Sequence, residues 1–518
     1  MARRAHPISK TPGIVAAVLI VAAVLAAFVA IGSRVEGTTG LRNAEWQAVR
    51  FTLVQAFFSA LLSVGLAVPV ARALARRRLP GHALLVTLLG APFILPVIVA
   101  VLGLLAIFGR SGWLNIALGA MGLPEVSIYG AHGVVLAHVF FNMPLATRLI
   151  LQGWQAIPAE QFRMVAQLGL PPGVVFRVVE WPLLRQVVPG ALALIFVICL
   201  TSFAVALTLG GGPRATTIEL AIYQAFRFDF DLGRAAVLSL LQLAVAGGAA
   251  LIALWFLPPM LVQRGQDRLP FRWDARRMST RMLDAVWITF AAAFLLLPLA
   301  SVVIAGLGGL TEMPGLVWRS AWTSIWVATL STALLVALAL PLTAWLAQAR
   351  RGGFEGVTLL GLAASPLMLG TGWFILIYPY ANPASLALPV TASVNALMAL
   401  PFAVRILLPP MRQVLTDYGR LGAGLGLRGW PFWRIVLLPR LRPALGFAAG
   451  LAAALSVGDL GVVALFADPD VATLPLQMYR LLGSYRTDAA AGAALLLLTL
   501  ALAMFWICDA WGRRRDIG

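Results

Sequence analysis

Twelve apolar runs dominate the sequence, at roughly 14–31, 51–71, 83–108, 134–151, 188–209, 235–256, 285–307, 322–346, 357–378, 390–408, 444–466 and 489–510. About 20 consecutive apolar residues cross a hydrocarbon core as a helix. Backbone polar groups cannot go unpaired in lipid, so each run is expected to be helical. The chain is 61% hydrophobic and 11% charged over 518 residues. Soluble domains carry about a quarter charged residues, so too little polar material is present to coat soluble surfaces. The first run follows Arg3, Arg4 and Lys10 and also admits the reading of a cleaved leader. Its apolar stretch, Ile14 to Ile31, exceeds the leader length of about 7–15 residues and favours a retained span.

A net charge of +19 raises nucleic acid as a partner. That would need a clustered basic face, whereas the arginines here sit in short loops between apolar runs. Alternate loops hold Arg72, Arg76, Arg77 and Arg78; Arg163, Arg177 and Arg185; Arg264, Arg268, Arg272, Arg276, Arg277 and Arg281; Arg350 and Arg351; and Arg412, Arg420, Arg428, Arg434, Arg440 and Arg442. The C-terminus adds Arg513, Arg514 and Arg515, while two of the opposite loops hold Arg110 alone and Arg319 alone. Arginine bias marks the cytoplasmic side. The expected protein is multi-pass, with the lipid bilayer as partner, no nucleic acid, and both termini cytoplasmic. Cys199 and Cys508 lie inside apolar runs, and His6, His82, His132 and His138 are scattered, so no metal site is expected.

The chain repeats itself. Pro144 to Leu184 reappears as Pro401 to Leu441 at one offset of 257: Arg148 and Arg405, Leu168 and Leu425, Gly169 and Gly426, Arg177 and Arg434, Pro182 and Pro439. With a shift of one, Thr217 and Tyr223 find Thr473 and Tyr479. Self-similarity at about half the chain length marks a duplication. The expected fold is all-α and polytopic, with about twelve transmembrane helices in two parallel six-helix repeats about an axis along the membrane normal. The expected units are a first transmembrane domain over 1–256, a cytoplasmic connector over 257–284, and a second transmembrane domain over 285–518.

The repeated element falls in the longest arginine-rich loop of each half. Arg163–Leu168 reads as a short helix that Gly169 closes in a left-handed conformation. Pro171 and Pro172 forbid continuation. A second amphipathic stretch, Val174–Val179, leads to Pro182. This pattern resembles the cytoplasmic loop of permeases in binding-protein-dependent ATP-binding-cassette importers, which have the type I fold. The matching positions are Ala166, Gly169, Phe176, Arg177 and Pro182, then Ala423, Gly426, Trp433, Arg434 and Pro439. The family pattern opens with Glu-Ala-Ala, where this chain has Arg163-Met164-Val165 and Arg420-Leu421-Gly422. The resemblance implies that each loop docks on an ATPase subunit, in two copies, and that a periplasmic binding protein delivers substrate across a bacterial inner membrane.

Other stretches resemble the thiamine permeases among the fused double permeases: Gly109–Leu114, Leu136–Pro144, Gly210–Gln224 and Ser456–Phe466. They imply thiamine or its phosphates as substrate, with ferric iron or another small solute as the alternative. Asp459 and Ser456 in one run, and His138 and Asn142 in another, are candidates for the translocation path or gate. Intramembrane charge is costly and tends to be functional, although helix-to-helix hydrogen bonding is the commoner use of such polar groups. The loops 210–233 and 467–488, with Glu219, Asp229, Asp231, Asp468 and Asp470, read as a platform for the binding protein. No GxxxxGK[ST] loop occurs, so ATP would be bound by the partner subunit, with no cofactor and no catalytic residue in this chain. A twelve-helix secondary transporter is the competing class. It would need coupling acids in the spans and leaves the paired loops without a task.

Overall fold

The computed structural model describes residues 8–35, 40–77, 81–90, 94–210, 212–256, 272, 277–349, 364–466 and 472–513. These residues are helical with connecting turns, and none of them forms a strand. The first half comprises α1 (Thr11–Gly32), α2 (Asn43–Arg76), α3 (His82–Leu88), α4 (Val97–Phe108), α5 (Trp113–Ala120), α6 (Ala131–Gln155), α7 (Ala159–Gln167), α8 (Pro172–Val175), α9 (Trp181–Leu200), α10 (Ala204–Leu209), α11 (Ile218–Arg227) and α12 (Leu232–Phe256). The second comprises α13 (Met278–Gly309), α14 (Gly315–Gln348), α15 (Pro366–Ile377), α16 (Ala387–Gly424), α17 (Trp430–Phe432), α18 (Leu438–Val457), α19 (Gly461–Phe466), α20 (Leu474–Gly483) and α21 (Thr487–Arg513).

Eleven helical segments among the described residues are long and apolar enough to cross a membrane, and the chain is a multi-pass membrane protein. The expected span at 357–378 appears as the twelve-residue α15, and residues 350–363 lie outside the described set. The run at 83–108 is divided. Its crossing segment is Val97–Ala120, because Pro96 removes a helical donor and biases Leu95 toward extended backbone. Of the expected connector, 257–271 and 273–276 lie outside the described residues, and Met278–Asp284 already belongs to α13.

The repeat runs deeper than the matched sequence. The pairs α9 and α18, and α10 and α19, begin and end at an offset of 257. Thr52 in α2 and Ser324 in α14 are also equivalent. Each hydroxyl accepts the first backbone N–H of a short inward-pointing helix, from Ile218 at 2.9 Å and from Leu474 at 2.8 Å.

Packing crosses the midpoint of the chain. Ala16 and Ile20 of α1 share a core with Leu335, Leu342 and Leu400, and the Trp373 indole N–H donates to Ala23 at 3.1 Å. In return, α13 lies against α4, where a Cβ on Gly103 would stand 2.5 Å from the Pro298 carbonyl. Each half thus lends its first helix to the other. A cleaved leader would empty the core that α1 fills. With lipid as apolar as leucine, helices associate through close backbone approach at small residues. Gly309 meets Gly492, and Gly446 meets Gly512.

Candidate functional site

The two repeated loops close in the same way. In the first, Gly169 has φ +61°, and its N–H donates to Ala166 while that of Leu170 donates to Val165. In the second, Gly426 has φ +71°, and Gly426 and Leu427 donate to Ala423 and Gly422. Both are Schellman caps, in which a left-handed glycine lets two N–H groups satisfy the last helical carbonyls. A π-helical turn follows each, at Phe176–Glu180 and Trp433–Leu437, again 257 apart. Pro182 and Pro439 follow directly, at the second residue of α9 and of α18. Arg177 and Arg434 are exposed on the π turns.

The approach differs between copies. In the first half, Pro158 ends the membrane helix and starts α7 afresh. The equivalent position is Leu415, and α16 runs unbroken for 38 residues through the loop helix. The contact beneath the helix also differs, with its volume redistributed. Val165 and Val175 are buried in the first copy, where the second has Gly422 and Phe432. A Cβ on Gly422 would lie 2.5 Å from the Phe432 ring. Gly422→Val is therefore expected to destabilise the second loop by about 1–3 kcal/mol through overpacking. Phe432→Val in the same chain should recover most of that loss. Thermal unfolding in detergent measures both, and an additive double mutant would refute the compensation.

Each loop displays the same apolar surface. Met164 and Leu421 are both 58% exposed, Leu168 and Leu425 are 65% and 67%, and Val178 and Ile435 are both 58%. Composition hid these residues, because apolar side chains were expected to face lipid or core. Arg163 and Arg420, in place of the family glutamate, are exposed and make no ion pair among the described residues. An acid stands one helical turn earlier in both copies, Glu160 and Asp417, also exposed. The 257 offset could have revealed that pair.

The first loop is tied to the bundle by charge. Glu180 is fully buried. Its Oε2 accepts from Arg72 Nε at 2.8 Å and lies 3.9 Å from Arg76, while Oε1 accepts from Arg272 at 2.5 Å. Asp284 of α13 pairs with Arg77 at 2.7 Å. The Arg272 guanidinium also covers the Phe162 ring of α7 at 4.3 Å, and Arg72 covers Phe176 at 4.6 Å. Among the described residues the second loop has no such network: Leu437 replaces Glu180 and packs with Ala344, Met411, Phe432 and Leu441.

The candidate gate residues meet where the spans at 188–209 and 444–466 break. Each of those runs is two helices, so Asp459 lies in the gap between α18 and α19 instead of within a continuous span. His138 bridges Ser59 of α2 at 3.2 Å and Ser202 of the first gap at 2.8 Å. Asn395, its counterpart, donates to Ser456 at 3.0 Å, and Asn142 donates to Cys199 Sγ at 3.3 Å. Asp459 Oδ1 accepts from the Gly461 N–H at 3.2 Å, and its shielded Oδ2 has no hydrogen-bond partner. His138 thus stitches helices together. Asp459, beside Gly458 and Pro96 of the other half, sits on the seam between halves.

The expected platform loops contract. Residues 218–227 and 474–483 are amphipathic helices tucked into the bundle, and Glu219 is wholly buried. Asp229, Asp231, Phe228 and Phe230 remain exposed at one tip and Tyr485 at the other. Asp468 and Asp470 lie outside the described residues.

No family model matches the chain. It is similar to the thiamine transport system permease protein ThiP of Salmonella typhimurium, 41% identical over 98% of each chain. It is 40% identical to that of Brucella abortus over 90% of this chain and 87% of the other. A sulfate transport system permease protein of Synechococcus elongatus is 26% identical over 44% of this chain and 80% of its own.

Proposed function

The chain belongs to the family of thiamine transport system permeases, and from that premise we propose that it is the membrane subunit of an ATP-binding-cassette importer carrying thiamine, or its phosphates, inward. It lies in the bacterial inner membrane with both termini in the cytoplasm, in keeping with the arginine-rich loops. Two copies of an ATPase subunit grip the loops around α7 and the end of α16. A periplasmic binding protein docks on the opposite end, around Phe228, Phe230 and Tyr485. Catalysis of ATP hydrolysis belongs to the partner.

The observation that carries this reading is the pair of identically capped loops, each exposing the same apolar residues 257 apart. An exposed apolar patch on a polar rim marks a docking surface. Closure of the ATPase dimer pushes on two rigid knobs. Each knob continues through its π turn and proline directly into α9 or α18, the helices that end at the gaps beside Ser202 and Asp459. A push at the loop is thereby delivered to the seam, and the halves alternate between inward and outward openings.

Deleting the gene in cells that depend on external thiamine should abolish high-affinity thiamine uptake, and the purified chain should bring down an ATPase that thiamine-loaded binding protein stimulates. Loss of iron uptake instead would reject the substrate and keep the importer. Transport by the chain alone in liposomes would reject the importer in favour of a secondary transporter.

A further inference from the structure

Glu219 is a buried acid that the fold does not require. It is fully shielded, and neither carboxylate oxygen makes a hydrogen bond of ordinary geometry. Ser365, the residue that caps α15 of the other half, and Gln242 of α12 lie within hydrogen-bonding reach of it. Gln242 donates one of its two amide N–H groups to the Leu200 carbonyl at 3.0 Å, and its Oε1 is without a partner. The acid is deep. Ile218 next to it bonds to Thr52, nine residues (52 − 43) into α2, which places it about 14 Å inside that end of the bundle at 1.5 Å per residue.

The duplication supplies a control. The two short inward-pointing helices align at an offset of 256, which puts Pro475 opposite Glu219. The α12 and α21 starts align at 255 through equivalent backbone bonds from Ala235 and Ala490, which puts the fully buried Leu497 opposite Gln242. The caps of α4 and α15 pair Pro96 with Ser365. One side of the seam is therefore Glu, Gln and Ser where the other is Pro, Leu and Pro. The apolar version packs the same architecture, so apart from Ser365, which caps α15, the carboxylate and amide are not needed for assembly. A buried intramembrane acid with no cation beside it is costly, and such acids tend to mark the path of an ion or substrate.

We propose that Glu219 is a specificity-determining residue of the translocation path, supplying the negative charge that an organic cation meets when the halves part. This rests on the thiamine-importer reading, since the thiazolium ring of thiamine is a permanent cation. Separation of the halves carries Ser365 away and uncovers the carboxylate, with Gln242 Oε1 beside it as a second acceptor.

The test uses the chain assembled with its ATPase and binding protein in proteoliposomes. Glu219→Gln keeps shape and removes charge. Thiamine uptake should fall at least tenfold while ATP hydrolysis stimulated by loaded binding protein stays within twofold, and Glu219→Asp should recover a third or more of the uptake. Unchanged uptake in the glutamine variant overturns the proposal, as does a parallel loss of uptake and stimulated hydrolysis, which marks a structural role. A second measurement places Glu219→Cys in a chain with Cys199→Ser and Cys508→Ser. A trimethylammonium methanethiosulfonate should label it in the turning-over complex, with thiamine slowing the reaction. A cysteine inert in every state overturns the path assignment. An unaltered chain with no thiamine-stimulated hydrolysis would instead sink the importer reading itself.

Discussion

Replacing Gly169 and Gly426 together with valine is expected to abolish ATP-driven uptake, by well over tenfold, while the chain still inserts and purifies. Both glycines hold positive φ. A β-branched residue held there costs on the order of 1–3 kcal/mol, so the backbone is expected to leave the left-handed region. When it does, the paired bonds from Gly169 and Leu170, and from Gly426 and Leu427, are lost. Nothing lies within 4 Å of either glycine's missing Cβ, so the effect comes from conformation and leaves the core untouched. The knob loses its angle to the π turn behind it. Crosslinking of each loop to the ATPase separates failed docking from failed transmission. Uptake at the unaltered rate in the double variant would dismiss the loops as coupling elements.

Removing the buried acid Glu180 is expected to be the most damaging single change to stability. Glu180→Leu removes the buried carboxylate that Arg72 and Arg272 share, and breaking such a pair from one side typically costs about 3–5 kcal/mol. Leucine already occupies the equivalent place as Leu437, so the side chain fits and the penalty is electrostatic. Adding Arg72→Ala, the alanine present as Ala344 in the second half, should restore part of the loss, because two apolar partners are tolerated where one stranded charge is not. Thermal unfolding of the three variants in detergent closes the double-mutant cycle. A Glu180→Leu chain as stable as the parent would show that the network contributes nothing. The asymmetry has a consequence for coupling. The first knob is held through ions by Arg72 and Arg76 of α2 and by Arg272, and the second through contact of Phe432 and Leu437 with α14 and α16.

The sequence by itself determined the solvent, the helical class, the duplication, and the two loops with their glycines. Each is a local property: an apolar run needs a bilayer and internal hydrogen bonds wherever it sits, and a glycine followed by prolines ends a helix whatever surrounds it. It also named His138, Asn142, Ser456 and Asp459 as polar groups out of place. Only the tertiary structure decided what those groups touch. Period and hydropathy cannot distinguish one long span from two helices meeting at a gap, because both are equally apolar; so the breaks at Ser202 and Asp459 went unseen. For the same reason the inward-pointing α11 read as part of an external platform loop, with Glu219 among its acids. The exchange of α1 and α13 between halves and the ionic tether on the first loop depend on which helices become neighbours. Those choices are settled by contacts between residues about a hundred or several hundred positions apart, and no short window of sequence contains them.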